Sequence, residues 1–203
     1  HVRMKIFSIP VYYLPYLSTP DWTVRRRTGF LTPVYGYSKQ NRFHSKIPFY
    51  YAPDNDESWD MTFTSHQNGK TGHADQLNFR KEFESTTIVS NVFKGNLNTN
   101  KSDGDNVFGM NLSVLSKLSN NWDMELVGKY SDQDTFMRRY GFDGDSKYKS
   151  FINLEKINQN AISNIEIYNI ENLDEGKNSN NEPVLAPAIS HHIFNSNDNY
   201  NYD

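Results

Sequence analysis

Apolar and polar residues alternate along most of this chain with a period of two. In Arg42–Tyr51, Phe43, Ser45, Ile47, Phe49 and Tyr51 fall on one side, and Arg42, His44, Lys46, Pro48 and Tyr50 on the other. Residues 58–66 set Trp59, Met61 and Phe63 against Ser58, Asp60, Thr62 and Thr64. Residues 107–114 set Phe108, Met110, Leu112 and Val114 against Gly109, Asn111 and Ser113. Trp122–Ser131 sets Trp122, Met124, Leu126 and Tyr130 against Asp123, Glu125, Lys129 and Ser131. Successive side chains of a strand point to opposite faces, so the pattern predicts strands with one apolar and one polar face. The striped segments run roughly 9–12 residues, longer than the ~5–6 of an ordinary strand and close to the ~9–11 of a tilted membrane strand.

Turn-forming clusters separate the stripes: Asn68-Gly69, Lys94-Gly95-Asn96, Asp103-Gly104-Asp105, Ser119-Asn120-Asn121 and Asp143-Gly144-Asp145. Such clusters between striped segments predict an antiparallel meander, with about ten strands between residues 29 and 195. Phe43, Tyr51, Trp59, Trp122 and Tyr130 fall near strand ends, as the aromatic girdles of a membrane barrel do. A soluble sandwich burying the same rings fits the alternation equally well. Residues 3–17 are more apolar and are broken by Pro10 and Pro15, with Pro20 close behind. A ladder interior does not accept a residue without an N–H, so this part reads as an edge strand or connector. Residues 172–182 and 195–203 are polar and read as loops.

Composition narrows the class. The 203 residues carry a formal net charge of −3, which excludes a basic nucleic-acid binder. Hydrophobic content is 36%, but aromatics reach 14%, with thirteen Tyr and thirteen Phe, which argues against disorder. No run approaches the ~20 apolar residues of a membrane helix, so the chain can cross a bilayer only as strands of a closed barrel. It opens on His1 with neither an initiator Met nor a signal peptide, and reads as an internal piece of a longer protein. There is no Cys, which removes disulfides and thiolate chemistry.

Candidate chemistry is sparse. The pairs Asp54/Asp56, Asp103/Asp105 and Asp143/Asp145 lack the onward ligands of a calcium loop and read as hairpin turns. His191 and His192 are strand neighbours that point to opposite faces and cannot share a metal. No phosphate loop, nucleophile elbow or triad stands out. The expectation is therefore no enzyme and no cofactor. Two basic clusters remain, Arg25-Arg26-Arg27 and Arg138-Arg139, and guanidinium groups suit phosphate as well as ordinary solvated loops.

Residues 9–38, IPVYYLPYLSTPDWTVRRRTGFLTPVYGYS, resemble the junction of the LptD-type family of lipopolysaccharide-assembly proteins, where a proline-rich strand ends a jelly roll and an Arg-Arg-(Ser/Thr)-Gly-Phe-Leu-x-Pro run leads into the barrel. Ile47-Pro48-Phe49-Tyr50-Tyr51-Ala52-Pro53-Asp54-Asn55-Asp56 is similar to the family's Pro-Tyr-Tyr…Ala-Pro-Asn-x-Asp segment. Asn68-Gly69 followed by Leu77-Asn78-Phe79-Arg80 resembles its next strand pair. Residues 130–140, with Asp132 and Phe136, resemble its Ser-Asp-x-x-Phe element, and 182–187 a later Pro-x-Leu-x-Pro strand start. The matches run in order from about residue 6 to 190.

The resemblance implies an all-β fold: an antiparallel meander forming part of a large transmembrane β-barrel, preceded by the last strand of a periplasmic β-jelly roll. Residues 1–20 correspond to the jelly-roll end, 21–28 to a hinge, and 29–203 to the incomplete barrel. It implies transport of lipopolysaccharide into the outer leaflet of the outer membrane, with the N-terminal segment in the periplasm. Implied partners are lipopolysaccharide, an LptE-type plug lipoprotein, an LptA-type bridge protein and outer-membrane lipid. The family's lateral opening lies between the first and last barrel strands. Pro33 in the first strand and Pro48 in the second map onto the prolines that weaken pairing at that seam, while Arg25, Arg26, Arg27 and Gly29 map onto the hinge beside the lipid phosphate's path. Pro10 and Pro15 are the corresponding jelly-roll positions. Family members tie jelly roll to barrel with disulfides, which this Cys-free chain does not do within its own length. The rivals are a passive channel or autotransporter-type barrel, a barrel hydrolase needing a Ser/His pair on adjacent strands, and the soluble sandwich.

Overall fold

The structure is a computed structural model that describes residues 2–6, 9–14, 26–39, 42–70, 72–99, 102–133, 135–173 and 183–194. Val2–Ile6 (β1) and Ile9–Leu14 (β2) pair as a small antiparallel sheet of their own. The apolar N-terminal run thus holds two strands, each an edge of this two-stranded sheet, in keeping with the edge-strand reading. Pro10 sits where the register shifts between Met4 and Lys5, a place where a missing N–H costs little.

A second, eleven-stranded sheet follows: Gly29–Phe30 (β3), Val34–Ser38 (β4), Arg42–Tyr51 (β5), Trp59–Asn68 (β6), Gly72–Glu82 (β7), Thr86–Thr99 (β8), Ser102–Lys117 (β9), Trp122–Ser131 (β10), Lys147–Asn158 (β11), Ala161–Asn172 (β12) and Val184–Ile193 (β13). Each strand from β5 onward pairs antiparallel with the next, as the meander pattern predicts, and β3 and β4 both pair with β5. Two of the expected turns lie inside strands instead. Lys94-Gly95-Asn96 is in β8, where Gly95 opposes Ala74 and Val107. A Cβ at Gly95 would lie 2.7 Å from the Ala74 Cβ and 2.9 Å from the His73 carbonyl oxygen, so this glycine serves close strand approach rather than a turn. Asp103-Gly104-Asp105 is in β9, and the hairpin reverses between Thr99 and Ser102. The Ser119-Asn120-Asn121 turn is present, with both Asn at φ 61°.

The register assigns every stripe to a face. Phe63, Leu77, Val92, Met110 and Tyr130 form one row across five strands on the apolar face. Trp59, Lys81, Ile88, Val114, Leu126, Ile152 and Ile167 form another, apolar but for the Lys81 side chain. The opposite face carries rows such as Thr62, Asn78, Asn91, Asn111 and Lys129. There Asn78 Nδ2 donates to Asn91 Oδ1 (2.7 Å), and the Arg80 guanidinium bonds Asp60 (2.8 Å).

The apolar face stays open. Phe63 is 44% exposed, Phe108 38%, Tyr130 49% and Ile167 42%, and no second sheet covers them among the described residues. A sandwich buries such rings between two sheets, an arrangement not present among the described residues. Burial is concentrated on the polar face instead. The loop 132–146 between β10 and β11 contains a short helix, Phe136–Tyr140 (α1), closed by Gly141 in the left-handed region at φ 71°. Phe136 and Met137 are fully buried against Ala74, Phe93, Val107, Tyr148 and Leu173. Phe142 stacks on Phe93 at 4.4 Å and meets the His66 ring edge-on at 4.8 Å. A Cβ at Gly109 would lie 2.8 Å from Met137 Sδ, so glycine there lets the helix settle onto β9.

Candidate functional site

Aromatic rings border the open apolar face at both ends. Along one end Phe30 meets Phe49 (5.1 Å), and Tyr51, Trp59 and Phe79 form a chain at 5.6 and 6.1 Å. Along the other, Tyr35 stacks on Phe43 (6.4 Å) and Phe108 packs near Tyr130 (6.3 Å). From Trp122 to Tyr130, or from Tyr51 to Phe43, the separation is eight residues, or roughly 26 Å along the strand. Tilt reduces this to near the ~25 Å apolar band of an outer-membrane barrel. Exposing so many apolar groups to water is unfavourable by about 1.5–3 kcal/mol for each large side chain, whereas hydrocarbon accepts them.

The first strand of this sheet is broken. Gly29 and Phe30 of β3 pair with Tyr50 and Phe49, and Val34 of β4 resumes opposite Lys46. Four steps on the first strand therefore match three on β5, so the break at 31–33 holds one extra residue. Pro33 lies in this break rather than within a strand ladder, as expected of a residue with no N–H to offer. Pro48 lies in β5, directly beside it. Its carbonyl accepts from the Leu31 N–H at 3.0 Å. A strand residue directs its N–H and C=O to the same neighbour, so the donor Pro48 lacks is missing from the first-strand side and not from β6. The two prolines thus thin the same seam.

The approach to that strand is anchored. Arg26 donates to Tyr50 Oη (3.5 Å) and to the carbonyls of Asp56 (3.4 Å) and Trp59, and pairs with Asp60 (3.7 Å). The hydrogen bond with Tyr50 outweighs desolvation and raises its pKa further. The Thr28 hydroxyl donates to the Ala52 carbonyl (2.9 Å) and accepts from its N–H (3.1 Å). Arg26 is therefore committed to holding residues 26–28 on the sheet, while Arg27 is exposed. Gly29 is half-buried at the start of β3 with open space around its α-carbon. Arg25 and Pro15 lie outside the described residues.

Two of the three acidic pairs, Asp54/Asp56 and Asp143/Asp145, lie in interstrand turns as expected, whereas Asp103/Asp105 lies in β9. Asp56 accepts from the hydroxyl and the N–H of Ser58 (2.9 Å for the N–H) and from Lys81 Nζ (3.3 Å). The Ser58 hydrogen bonds, more than Lys81, lower its pKa from 3.8 to about 2. A carboxyl lowered in the folded state stabilises above its unfolded value and loses that contribution as pH falls through the folded one. Titrating the Ser58 amide resonance should therefore give a midpoint near pH 2; a midpoint at the ordinary 3.8 would show that the turn does not hold the ionised form. Asp143 and Asp145 both accept from Lys129 Nζ (2.9 and 2.8 Å), and Asp143 also accepts from the Asp145 N–H. Burial raises the Asp143 pKa, but the Lys129 hydrogen bond and the Asp145 amide prevail and leave it lowered. Among the described residues no group of three His, Asp or Glu is placed to hold a metal.

Asp132 and Phe136 have structural places. Both Asp132 carboxylate oxygens accept from the Phe108 N–H at 2.9 Å, and its own N–H returns a bond to the Phe108 carbonyl (3.0 Å). The residue thus ends the β9–β10 ladder and turns the chain toward α1, where Phe136 enters the buried cluster. Sequence reading found the Asp–Phe pair without foreseeing the cluster. The available signal was four apolar residues, Phe136, Met137, Tyr140 and Phe142, inside one interstrand loop.

No family model matches the chain. Curated relatives do. The chain is 26% identical over 157 residues to the LPS-assembly protein LptD of Methylococcus capsulatus, covering 75% of this chain and 13% of that protein. It is 29% identical over 157 residues to the protein of the same name from Mannheimia succiniciproducens, covering 74% of this chain and 19% of the relative. A shorter match, 39% identical over 82 residues, joins 39% of this chain to 10% of the Pectobacterium atrosepticum LptD. The chain spans from 10% to 19% of the length of these relatives.

Proposed function

From the premise that the chain is related over part of its length to the LptD family, we propose that it forms the first strands of an outer-membrane barrel that delivers lipopolysaccharide to the outer leaflet. One observation carries the reading. A single sheet with an open, aromatic-bordered apolar face begins at a strand whose pairing is interrupted at 31–33 and short of a donor at Pro48. In hydrocarbon an unpaired backbone group costs several kcal/mol, so a membrane wall retains such a defect where opening is useful. The lipid tails pass outward through the seam at β3 and β4, while the sugar end stays on the polar face.

In this reading residues 1–20 end a periplasmic jelly roll, 21–28 are the hinge, and 29–203 start the barrel. In the same reading Arg27, exposed beside the anchored Arg26, stands near the path of the lipid phosphates. A plug lipoprotein of the LptE type and a bridge protein of the LptA type complete the machinery, and the chain itself performs no covalent chemistry. A passive pore has no use for a thinned first seam.

Replacing Pro33 and Pro48 together by Ala restores two donors, each worth about 0.5–1.5 kcal/mol once paired. The double variant of the full-length protein should place less lipopolysaccharide on the cell surface at unchanged protein level. Normal surface lipopolysaccharide in that strain would remove the gate assignment.

A further inference from the structure

Arg138 and Arg139, singled out in the sequence, have no role in the seam itself, yet the fold brings them near it. Both lie on α1, which rests on the polar face of the sheet. There they border an open cleft of about 720 Å³ with Lys46 of β5, Lys70 of the β6–β7 turn, His44 and His66. None of the described lining residues is acidic. Lys46, Lys70 and Arg139 are exposed at its rim, and Arg138 donates to the Leu173 carbonyl (2.9 Å). His44 lies across Gly36, where a Cβ would stand 2.4 Å from its Nε2, and its Nδ1 is buried with no hydrogen-bond partner.

The opposite end of the same face has the other sign. A cleft between β8 and β11 is lined by Glu84, Asp123, Glu125 and Glu155 with Lys117 as the one cation among its described lining. The basic cleft is therefore a local concentration of charge in a protein of net −3. Its position is specific as well, since His44 and Lys46 stand opposite Gly36 and Val34 of β4. An amphiphile with its tails in the seam would set its head group beside these two residues.

We propose that this cleft binds the phosphomonoester groups of a glycolipid head as it crosses the seam. The inference rests on the proposed function. Guanidinium pairs bind dianionic oxygens through several N–H donors at once, and ammonium groups add point charge. Two flanking lysines and two arginines match a head carrying more than one phosphate better than a single anion. The acidic cleft at the far end repels the same group, which directs the head toward the basic end.

The test uses the full-length protein folded in detergent and three soluble probes: glucose 1,6-bisphosphate, inorganic phosphate and glucose. The bisphosphate should bind, phosphate more weakly and glucose not at all. The triple variant Lys46→Gln/Lys70→Gln/Arg139→Gln should weaken bisphosphate binding about tenfold, the middle of the range that three exposed charge pairs supply together. Glu155→Gln, in the acidic cleft, should not weaken it. Heat-modifiable gel mobility reports folding separately, and Arg139→Gln alone, expected to weaken binding by a smaller factor, replaces the triple variant if that one fails to fold. Unchanged bisphosphate affinity in the charge variants overturns the proposal. Inorganic phosphate binding as tightly as the bisphosphate overturns the glycolipid source. A protein that inserts into vesicles but binds no probe refutes the cleft and leaves the membrane reading standing.

Discussion

Leu126→Arg should destabilise the membrane-inserted protein by about 2–4 kcal/mol, whereas Ser113→Arg should cost no more than about 1 kcal/mol. Leu126 stands midway between Trp122 and Tyr130 on β10, opposite Val114 and Ile152 on the apolar face. A guanidinium there sits at the centre of the hydrocarbon with no water in reach. Ser113, on the neighbouring strand, faces the polar side beside Val89 and Val127, where water, Asn111 in the row on one side and Glu125 in the row on the other accommodate a guanidinium. The measurement is reversible urea unfolding of the full-length protein in lipid vesicles. Equal losses for the two variants would mean that the two faces have the same solvent, and the membrane reading would fail with them.

Phe136→Ala should release the loop 132–146 from the sheet without unfolding the strands. Phe136 is fully buried, with ring neighbours Tyr140 at 5.5 Å and Phe142 at 5.8 Å. Removing such a ring costs about 3–5 kcal/mol when the site cannot collapse. The cluster it anchors holds the loop to the sheet, while the strands keep their ladders. Hydrogen exchange should therefore quicken about a hundredfold or more at the Arg139 and Phe142 amides, which bond Thr135 and Met137, and stay unchanged at Leu112 in β9. Equal acceleration at Leu112 would show that the cluster is part of one global core.

How much of this was legible depends on the range of the interactions involved. Alternation is local, and it located the strands and divided Phe43, Ile47 and Phe49 from His44, Lys46 and Tyr50. Alternation could not say whether the apolar side meets a second sheet or lipid, because both demand the same residues; the exposure of Phe63 and Phe108 on a face uncovered among the described residues favours lipid. Gly95 and Gly104 misled because glycine marks both turns and close strand approach, and only the neighbouring strand distinguishes them. The helix α1 is five residues long, too short for periodicity to register, and its stability comes from Phe93 and Val107, distant in sequence. The same applies to Arg26. A run of three arginines says nothing about which of them Asp60 and Tyr50 will hold.

The break in the first strand also bears on rates. An unbroken strand of ten residues detaches from its neighbour only by losing its ladder in one cooperative event, and the barrier grows with the number of bonds lost. Here the ladder comes in two pieces, two residue pairs in β3 and five in β4, separated by an extra residue and bordered by Pro48. Each piece can part and re-form by itself. The highest barrier to peeling is then set by the five-pair segment rather than by the whole edge, and the two-pair segment anchored through Arg26 and Thr28 can remain in place to guide the strand home.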